Sequence, residues 1–113
     1  MSVKITLERK GLDRLITELL PQADALVRAT AFAIERDAKI GAPVDTGNLR
    51  NSIKVEDKVP LDAKAEVVVG ASYGLFVERG TRYQRAQAFL QPAVDKNRAA
   101  FEAGIAALMR RLS

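Results

Sequence analysis

The hydrophobic residues of this chain switch from strand spacing to helix spacing near the N-terminus, and that switch limits the folds open to it. Apolar and polar residues alternate in residues 3–7, which is the pattern of a half-buried strand. From residue 12 to residue 38 the apolar residues recur at helical spacing, until Gly41 and Pro43 end the pattern. Pro21 lies inside this pattern, so it either kinks one helix or begins a second helix in its first turn.

Three short segments in the middle of the chain are predicted to form an antiparallel meander. Residues 53–56 alternate between apolar and polar side chains, residues 63–69 end in a run of valines, and residues 73–78 carry an aromatic and apolar face. The valine run predicts burial on both faces near the end of its strand. Turn-forming residues around Pro60 and Gly70 separate the three segments.

A second amphipathic helix is predicted at the C-terminus, after a loop over residues 80–88 that has no usable periodicity. Proline is compatible with a helix in its first turn, so Pro92 places the helix start near Leu90 or Gln91. The predicted order is β–α–βββ–α, an α+β fold in which one antiparallel sheet packs against a long N-terminal helix and a C-terminal helix. The chain has no linker and no internal repeat, so residues 1–113 are predicted to form a single domain.

The composition disfavours several classes of function. The chain has no cysteine and no histidine, so it lacks disulfides, thiolate sites and the commonest acid–base and transition-metal ligand. We therefore expect no enzyme, no metal and no cofactor. No stretch approaches the run of about 20 apolar residues that a membrane-spanning helix needs, so we expect no membrane association. Lys and Arg number 18 against 14 acids, and the resulting charge of +4 is weaker than a dedicated nucleic-acid binder usually shows.

Residues 44–47 read Val-Asp-Thr-Gly, the string with which a retroviral-type aspartic protease subunit presents its catalytic aspartate. Such an enzyme needs two carboxylates that share a proton, one from each subunit of a β-rich dimer. Here the string follows a long helical pattern and Pro43 instead of a hydrophobic strand, and roughly half of the chain is helical in pattern. These features disfavour a catalytic interpretation of Asp45.

The structural interpretation makes the same string a helix cap. Asp45 or Thr46 would accept hydrogen bonds from the backbone N–H groups of a short helical turn over residues 48–52. Gly47 permits a backbone conformation that side chains disfavour. Leu49 and the isoleucine four positions later would then anchor the turn in the core.

Two further strings have simple structural interpretations when each is taken alone. Residues 73–81 have the pattern of a strand that ends in a glycine turn, with Glu78 paired to a nearby arginine. Residues 89–93 have the pattern of a loop that delivers two apolar side chains to the core before Pro92 opens a helix. Neither string indicates a function by itself.

Taken together and in order, the three strings resemble the signature of a phage protein family. Residues 42–53 are similar to its A-P-V-D-T-G-x-L-x-x-S-I string, residues 73–81 to its Y-x-x-Y/F-V-E-x-G-T string and residues 89–93 to its F-L-x-P-A string. The family is the gene-product-ten-like tail-component family of lambdoid siphophages and prophages. The chain departs from it at Ala88, where the family often has proline. The matching residues singled out as the structural motif are Pro43, Asp45, Thr46, Gly47, Leu49, Ser52, Tyr73, Val77, Glu78, Gly80, Thr81, Phe89, Leu90 and Pro92.

The resemblance implies a structural protein of the neck or tail-completion region, where the portal connector of the capsid meets the tail tube. Such proteins are non-catalytic and use no cofactor, metal or small-molecule substrate. They assemble as rings around the channel through which DNA passes, and a ring requires head-to-tail contacts that close. The implied partners are further copies of the chain and phage connector or tail proteins. The implied location is the host cytoplasm during assembly and the virion afterwards.

The local concentration of positive charge at Arg79, Arg82 and Arg85 adds a candidate contact surface. In a ring these side chains would lie near DNA or acidic partners. The alternative is an ordinary solvated surface. A second hypothesis makes the chain a small basic module that binds nucleic acid outright. The modest net charge, the lack of tryptophan and the lack of a recognition motif disfavour that hypothesis.

Overall fold

The computed structural model describes residues 1–6, 13–43, 48–56, 63–82 and 85–112. Three strands and five helices lie within these ranges, and the predicted α+β class is confirmed. In chain order the elements are β1 (Ser2–Thr6), α1 (Asp13–Glu18), α2 (Leu20–Gly41), α3 (Asn48–Asn51), β2 (Ile53–Glu56), β3 (Lys64–Val69), α4 (Gly74–Arg79) and α5 (Leu90–Arg111).

The strands form one antiparallel sheet in the order β1-β3-β2, so β3 is the central strand. Val67 of β3 is paired with Val3 of β1 on one side and with Val55 of β2 on the other. Val67 and Val69 are buried, whereas Val68 between them is only half-buried. The valine run is therefore buried on one face, which corrects the expectation of burial on both faces.

Helix α2 covers the buried face of the sheet. Its 22 residues present a buried stripe at the spacing of one helical face, and half of the buried residues in it are alanine. The hydrophobic core lies between this stripe and the strands. The buried residues of the stripe are Ala23, Asp24, Val27, Ala31, Ile34 and Ala38.

Helix α5 packs antiparallel along α2. At the C-terminal end of α2, a Cβ added to Gly41 would lie 3.7 Å from the Cα atom of Phe89, at the start of α5. At the other end, a Cβ added to Gly104 of α5 would lie 2.7 Å from Cδ1 of Leu26. Gly104 is therefore a point of close approach between the two helices.

Pro21 begins a new helix and does not kink an existing one. Helix α1 ends at Glu18 and α2 begins at Leu20, which puts the proline in the first turn of α2. The first turn suits proline because the N–H groups there have no partner within the helix. The N–H of Ala23 then donates to the carbonyl of Leu19 at 2.8 Å, so regular helical bonding is established directly after the proline.

The predicted strand over residues 73–78 is wrong, because this segment forms helix α4. A meander strand that follows β3 through a short turn has to pair with β3, but β1 and β2 already occupy both of its edges. The chain instead turns into a helix whose first residue, Gly74, packs on the end of β3. A Cβ added there would lie 2.8 Å from Cγ1 of Val69, so glycine permits the close approach.

The predictions for the loop and the C-terminal helix are confirmed. Residues 80–82 and 85–88, the described part of the predicted loop, form neither helix nor strand. Helix α5 begins at Leu90, and Pro92 lies in its first turn. The loop therefore connects α4 directly to the helix that packs on α2.

Candidate functional site: the joint between α4 and α5

The carboxylate of Glu78 accepts three consecutive backbone N–H groups at the start of α5. Oε1 lies 2.9 Å from the nitrogen of Phe89 and 2.8 Å from that of Leu90, and Oε2 lies 3.1 Å from that of Gln91. The first N–H groups of a helix have no partner within the helix, and the helix dipole favours negative charge there. Glu78 therefore caps α5 from another helix, and its pairing with a nearby arginine stays a prediction.

The end of α4 places Glu78 and directs the chain away from the helix. The N–H of Gly80 donates to the carbonyl of Phe76 at 2.7 Å, and Gly80 has φ of 78°. Glycine adopts this left-handed region without the strain that a side chain would bring. The carbonyl of Val77 then accepts the N–H of Gln87 at 2.8 Å, so the returning chain is fixed to the same helix.

Phe89 completes the junction from the core side. Its side chain is 1% exposed, and Leu90 beside it is also buried. Two of the three strings singled out in the sequence therefore meet in space. We call the group formed by Val77, Glu78, Gln87, Phe89 and Leu90 the α4–α5 joint.

The sequence contained one indirect signal of this joint. The cap position of α5 is occupied by Phe89, whose side chain makes no capping hydrogen bond. Ser, Thr, Asp and Asn are the residues that usually satisfy a helix start. A helix that begins with Phe-Leu-Gln-Pro therefore requires a cap from elsewhere, and only the fold identifies Glu78 as its source.

The third string leads into α3. Leu49 is buried, and the hydroxyl of Ser52 donates to its carbonyl at 2.7 Å. The carbonyl of Ser52 in turn accepts the N–H of Gly70 at 2.9 Å, which ties α3 to the end of β3. The half-buried Pro43 follows the end of α2.

Four residues of that string, Val44, Asp45, Thr46 and Gly47, lie outside the described residues. The predicted cap over residues 48–52 accordingly remains a prediction, as does the rejection of Asp45 as a protease aspartate.

The three arginines of the predicted contact surface are all exposed. Arg79 lies in the last turn of α4, and Arg82 and Arg85 lie in the loop that leaves the α4–α5 joint. Thr81 is exposed in the same loop, and Tyr73 is partly exposed before α4. Positive charge is thus concentrated in an exposed segment that begins at the α4–α5 joint.

Exposed apolar side chains on α4 flank this basic loop. Phe76 is 59% exposed and Leu75 is 41% exposed. Large apolar side chains beside a charged segment are typical of surfaces that contact other proteins. We call α4 together with residues 80–82 and 85–88 the docking arm.

Two carboxylates on α2 have structural partners. Asp24 is 5% exposed, and its Oδ2 lies 2.6 Å from Nε of Arg28 while its Oδ1 accepts the N–H of Ala63 at 3.1 Å. Ala63 has φ of 55°, so the carboxylate holds a strained residue just before β3. Glu35 accepts the N–H of Val55 on the edge strand β2 at 3.0 Å.

The described ranges contain no cluster of acidic residues of the kind that holds a metal ion. Over the same ranges, none of the helices has the length and hydropathy needed to cross a bilayer. The carboxylates described above bind backbone N–H groups and a guanidinium, and this arrangement stabilises the fold.

The comparisons with known proteins gave one family. The family model described as "Bacteriophage HK97-gp10, putative tail-component" matches residues 9–80, which is more than half of the chain and includes α1 to α4. No curated protein and no solved structure matches the chain significantly.

Proposed function

Because the chain belongs to the HK97 gp10-like family of bacteriophage tail components, we propose that it is a non-catalytic virion protein of the head–tail junction. In this proposal it acts in the neck, or in tail completion, by forming a ring with further copies of itself. The ring docks to connector or tail proteins and surrounds the path of the DNA. Assembly takes place in the host cytoplasm, and the protein remains in the virion.

The docking arm is the observation that carries this proposal. Its base is held by the Glu78 carboxylate and by the bond from Gln87 to Val77, so the arm leaves the body at a defined place. Its outer part combines exposed apolar residues with exposed arginines. A rigid base and an amphipathic exposed segment suit contact with a neighbouring subunit or an acidic partner, because little conformational freedom is lost on binding.

The test uses a phage whose copy of this gene is deleted and then supplied in trans. We expect the deletion to leave filled heads and free tails separate in electron micrographs, and the wild-type gene to restore joined particles. Replacing Phe76 and Leu75 by serine should abolish joining, because the apolar contact of the arm is lost. A matched variant with Ala99→Ser and Ala103→Ser on the exposed side of α5 should join normally. Complete particles in the absence of the gene would overturn the proposal.

The three arginines are tested separately in the same assay. Replacing Arg79, Arg82 and Arg85 by serine should reduce joined or DNA-filled particles if they face DNA or an acidic partner. Unchanged assembly and DNA retention would assign these side chains to a solvated surface, while leaving the junction role intact.

The exposed arginines also favour the second hypothesis, a nucleic-acid-binding module. That function requires the isolated chain to bind duplex DNA at micromolar concentration, with an affinity that falls steeply as salt rises. Titration of labelled DNA at two salt concentrations separates the two functions. Absence of such binding favours the junction role.

A further inference from the structure

The outer edge of β1 pairs with no strand in the part of the chain that the structure describes. The N–H of Val69 donates to the carbonyl of Met1 at 2.9 Å, and hydrogen-bonded pairs alternate along an antiparallel ladder. The odd-numbered residues of β1 therefore bond to β3. The backbone N–H and C=O groups of Ser2, Lys4 and Thr6 point away from the sheet.

A groove of about 300 Å³ lies beside this edge, between β1 and α5, with α2 at its floor. A second groove of about 320 Å³ continues from Val3 to the start of α5 at Leu90 and Gln91. We call the two together the β1 groove. Its apolar lining is formed by Val3, Ile5, Ile34, Val94 and Phe101.

The helices cover more width than the sheet fills. Packed helices lie about 8–10 Å apart and strands about 4.8 Å apart, so two helices cover roughly four strands. Here α2 packs on all three strands and α5 packs alongside α2, with Val94 and Phe101 of α5 lining the groove beside β1. The β1 groove is where a fourth strand would lie, with one backbone edge against β1 and one row of side chains beneath α5.

The charges around the groove select an acidic occupant. Lys4 and Arg98 line it, and Arg79 lines its continuation. Lys4 lies 4.0 Å from Glu66 and Arg98 lies 3.6 Å from Asp95, in exposed pairs that are weak in water and readily exchanged. The carboxylate of Glu78 is already bound to the start of α5.

We propose that the β1 groove binds an extended acidic segment of another protein, which adds to the sheet as a fourth strand next to β1. Backbone bonds to the even-numbered residues of β1 would give affinity, and alternate apolar side chains would enter the groove. The proposal goes beyond the junction role, because it concerns the isolated chain whether or not that chain forms a ring.

A second copy of the chain fits this place poorly. Antiparallel pairing of two β1 strands about a twofold axis would put both α5 helices on the same face, over the same strands. Insertion of the loop of a second copy into the groove would place Arg82 and Arg85 beside Lys4 and Arg98, which carry the same charge. A lone acidic strand avoids both conflicts.

The first experiment uses a capped heptapeptide in which valine alternates with glutamate or threonine, added to the full ¹⁵N-labelled chain. We expect saturable NMR shifts at residues 2–6 and 94–101, with Kd tighter than about 1 mM, and slower exchange of the Lys4 amide proton. The same peptide with lysine in place of glutamate should bind at least about tenfold more weakly, because attraction becomes repulsion. No shift at 1 mM peptide, or equal binding of both peptides, would overturn the proposal.

The second experiment changes the edge itself. Lys4→Pro removes an outward N–H and keeps the ladder to β3, whereas Lys4→Ala removes only the charge. We expect the proline variant to bind the acidic peptide at least about tenfold more weakly than the alanine variant. Val94→Lys blocks the groove from α5 and gives an independent answer if the proline variant loses its fold by circular dichroism. Wild-type affinity in the folded variants would contradict the proposal.

A dilution series of the chain without peptide tests whether a second copy of the chain binds in the β1 groove. Shifts at residues 2–6 that depend on chain concentration would place a second copy in the β1 groove and overturn the proposal. Shifts that appear only with the acidic peptide support it.

Discussion

The side-chain amide of Asn97 on α5 donates to Oδ2 of Asp37 on α2 at 2.8 Å. The same amide nitrogen also donates to the carbonyl of Ala93 at 2.7 Å, one turn earlier on α5. Asn97 is therefore a polar link between the two long helices. Asp37 is only 7% exposed at its side chain, so this link lies largely out of solvent.

The Asn97–Asp37 link makes stability depend on acid. The hydrogen bond from Asn97, and after it the hydrogen bond and charge of Arg36, hold the pKa of Asp37 below its ordinary value of 3.8. Because the folded-state pKa is lowered, the stabilisation is fully present above the unfolded value and is lost as pH falls through the folded value. We expect Asn97→Ala to show a smaller drop in unfolding free energy than wild type between about pH 6 and pH 3.

Urea unfolding at the two pH values measures this effect. The control is Asn51→Ala on α3, where the side chain is exposed. An acid-induced loss in Asn97→Ala as large as that of wild type would contradict the role of the link.

Removing the carboxylate of Glu78 should detach the start of α5. Glu78→Ala leaves the N–H groups of Phe89 and Leu90 without their acceptor, and we expect a loss of about 2 kcal/mol in unfolding free energy. Glu78→Gln should lose less, because one carbonyl oxygen remains to accept. Denaturant unfolding gives the loss, and hydrogen exchange at residues 89–91 locates it. Glu102→Ala on the exposed side of α5 is the control, and unchanged exchange at residues 89–91 in Glu78→Ala would refute the cap.

Adding a methyl group at Gly74 should be costly. The new Cβ would lie 2.8 Å from Cγ1 of Val69, a stiff and buried side chain, so α4 has to move away from β3. We expect Gly74→Ala to lower the unfolding free energy by about 1–3 kcal/mol. Gly70→Ala is the matched control, because its Cβ would meet its nearest atom at 3.5 Å, an ordinary contact. Equal effects of the two substitutions in thermal unfolding would show that close packing at Gly74 is not the cause.

Asp24 should be among the most sensitive polar residues of α2. Asp24→Ala removes the acceptor of the Ala63 N–H and an ion-pair partner of Arg28, and we expect a loss of about 2–4 kcal/mol in unfolding free energy. Asp95→Ala removes an exposed ion pair with Arg98 and should change the value by less than about 0.5 kcal/mol. Similar losses in the two variants would mean that burial of Asp24 contributes nothing.

The sequence predicted the elements whose hydrophobic period is long or strictly alternating. Helices α2 and α5 and strands β1 to β3 follow from local spacing, because each has to bury one face. Local patterns predict a strand at α4, but the topology of the sheet leaves no place for that strand. Both edges of β3 are occupied by segments distant in sequence, β1 and β2, and short-range patterns do not reveal that.

The partners of single polar residues were beyond local patterns for the same reason. Glu78 reaches amides 11 to 13 positions away, and Asp24 reaches Ala63 across 39 positions. A carboxylate in the sequence is an acceptor that needs a donor, but the packing of distant segments decides which N–H group donates to it. The motif strings contain the main residues of the α4–α5 joint, but they do not show which hydrogen bonds these residues form.

The closure of the arm by the Gln87–Val77 hydrogen bond has an evolutionary consequence. Both ends of residues 80–88 stay at α4 whatever lies between them, and doubling the length of such a loop costs only about 0.6 kcal/mol in closure entropy. Insertions and exchanges of sequence there leave the packed body unchanged. In the proposed junction role, a phage lineage would change the partner of the docking arm by changing this segment while it keeps the same packed body.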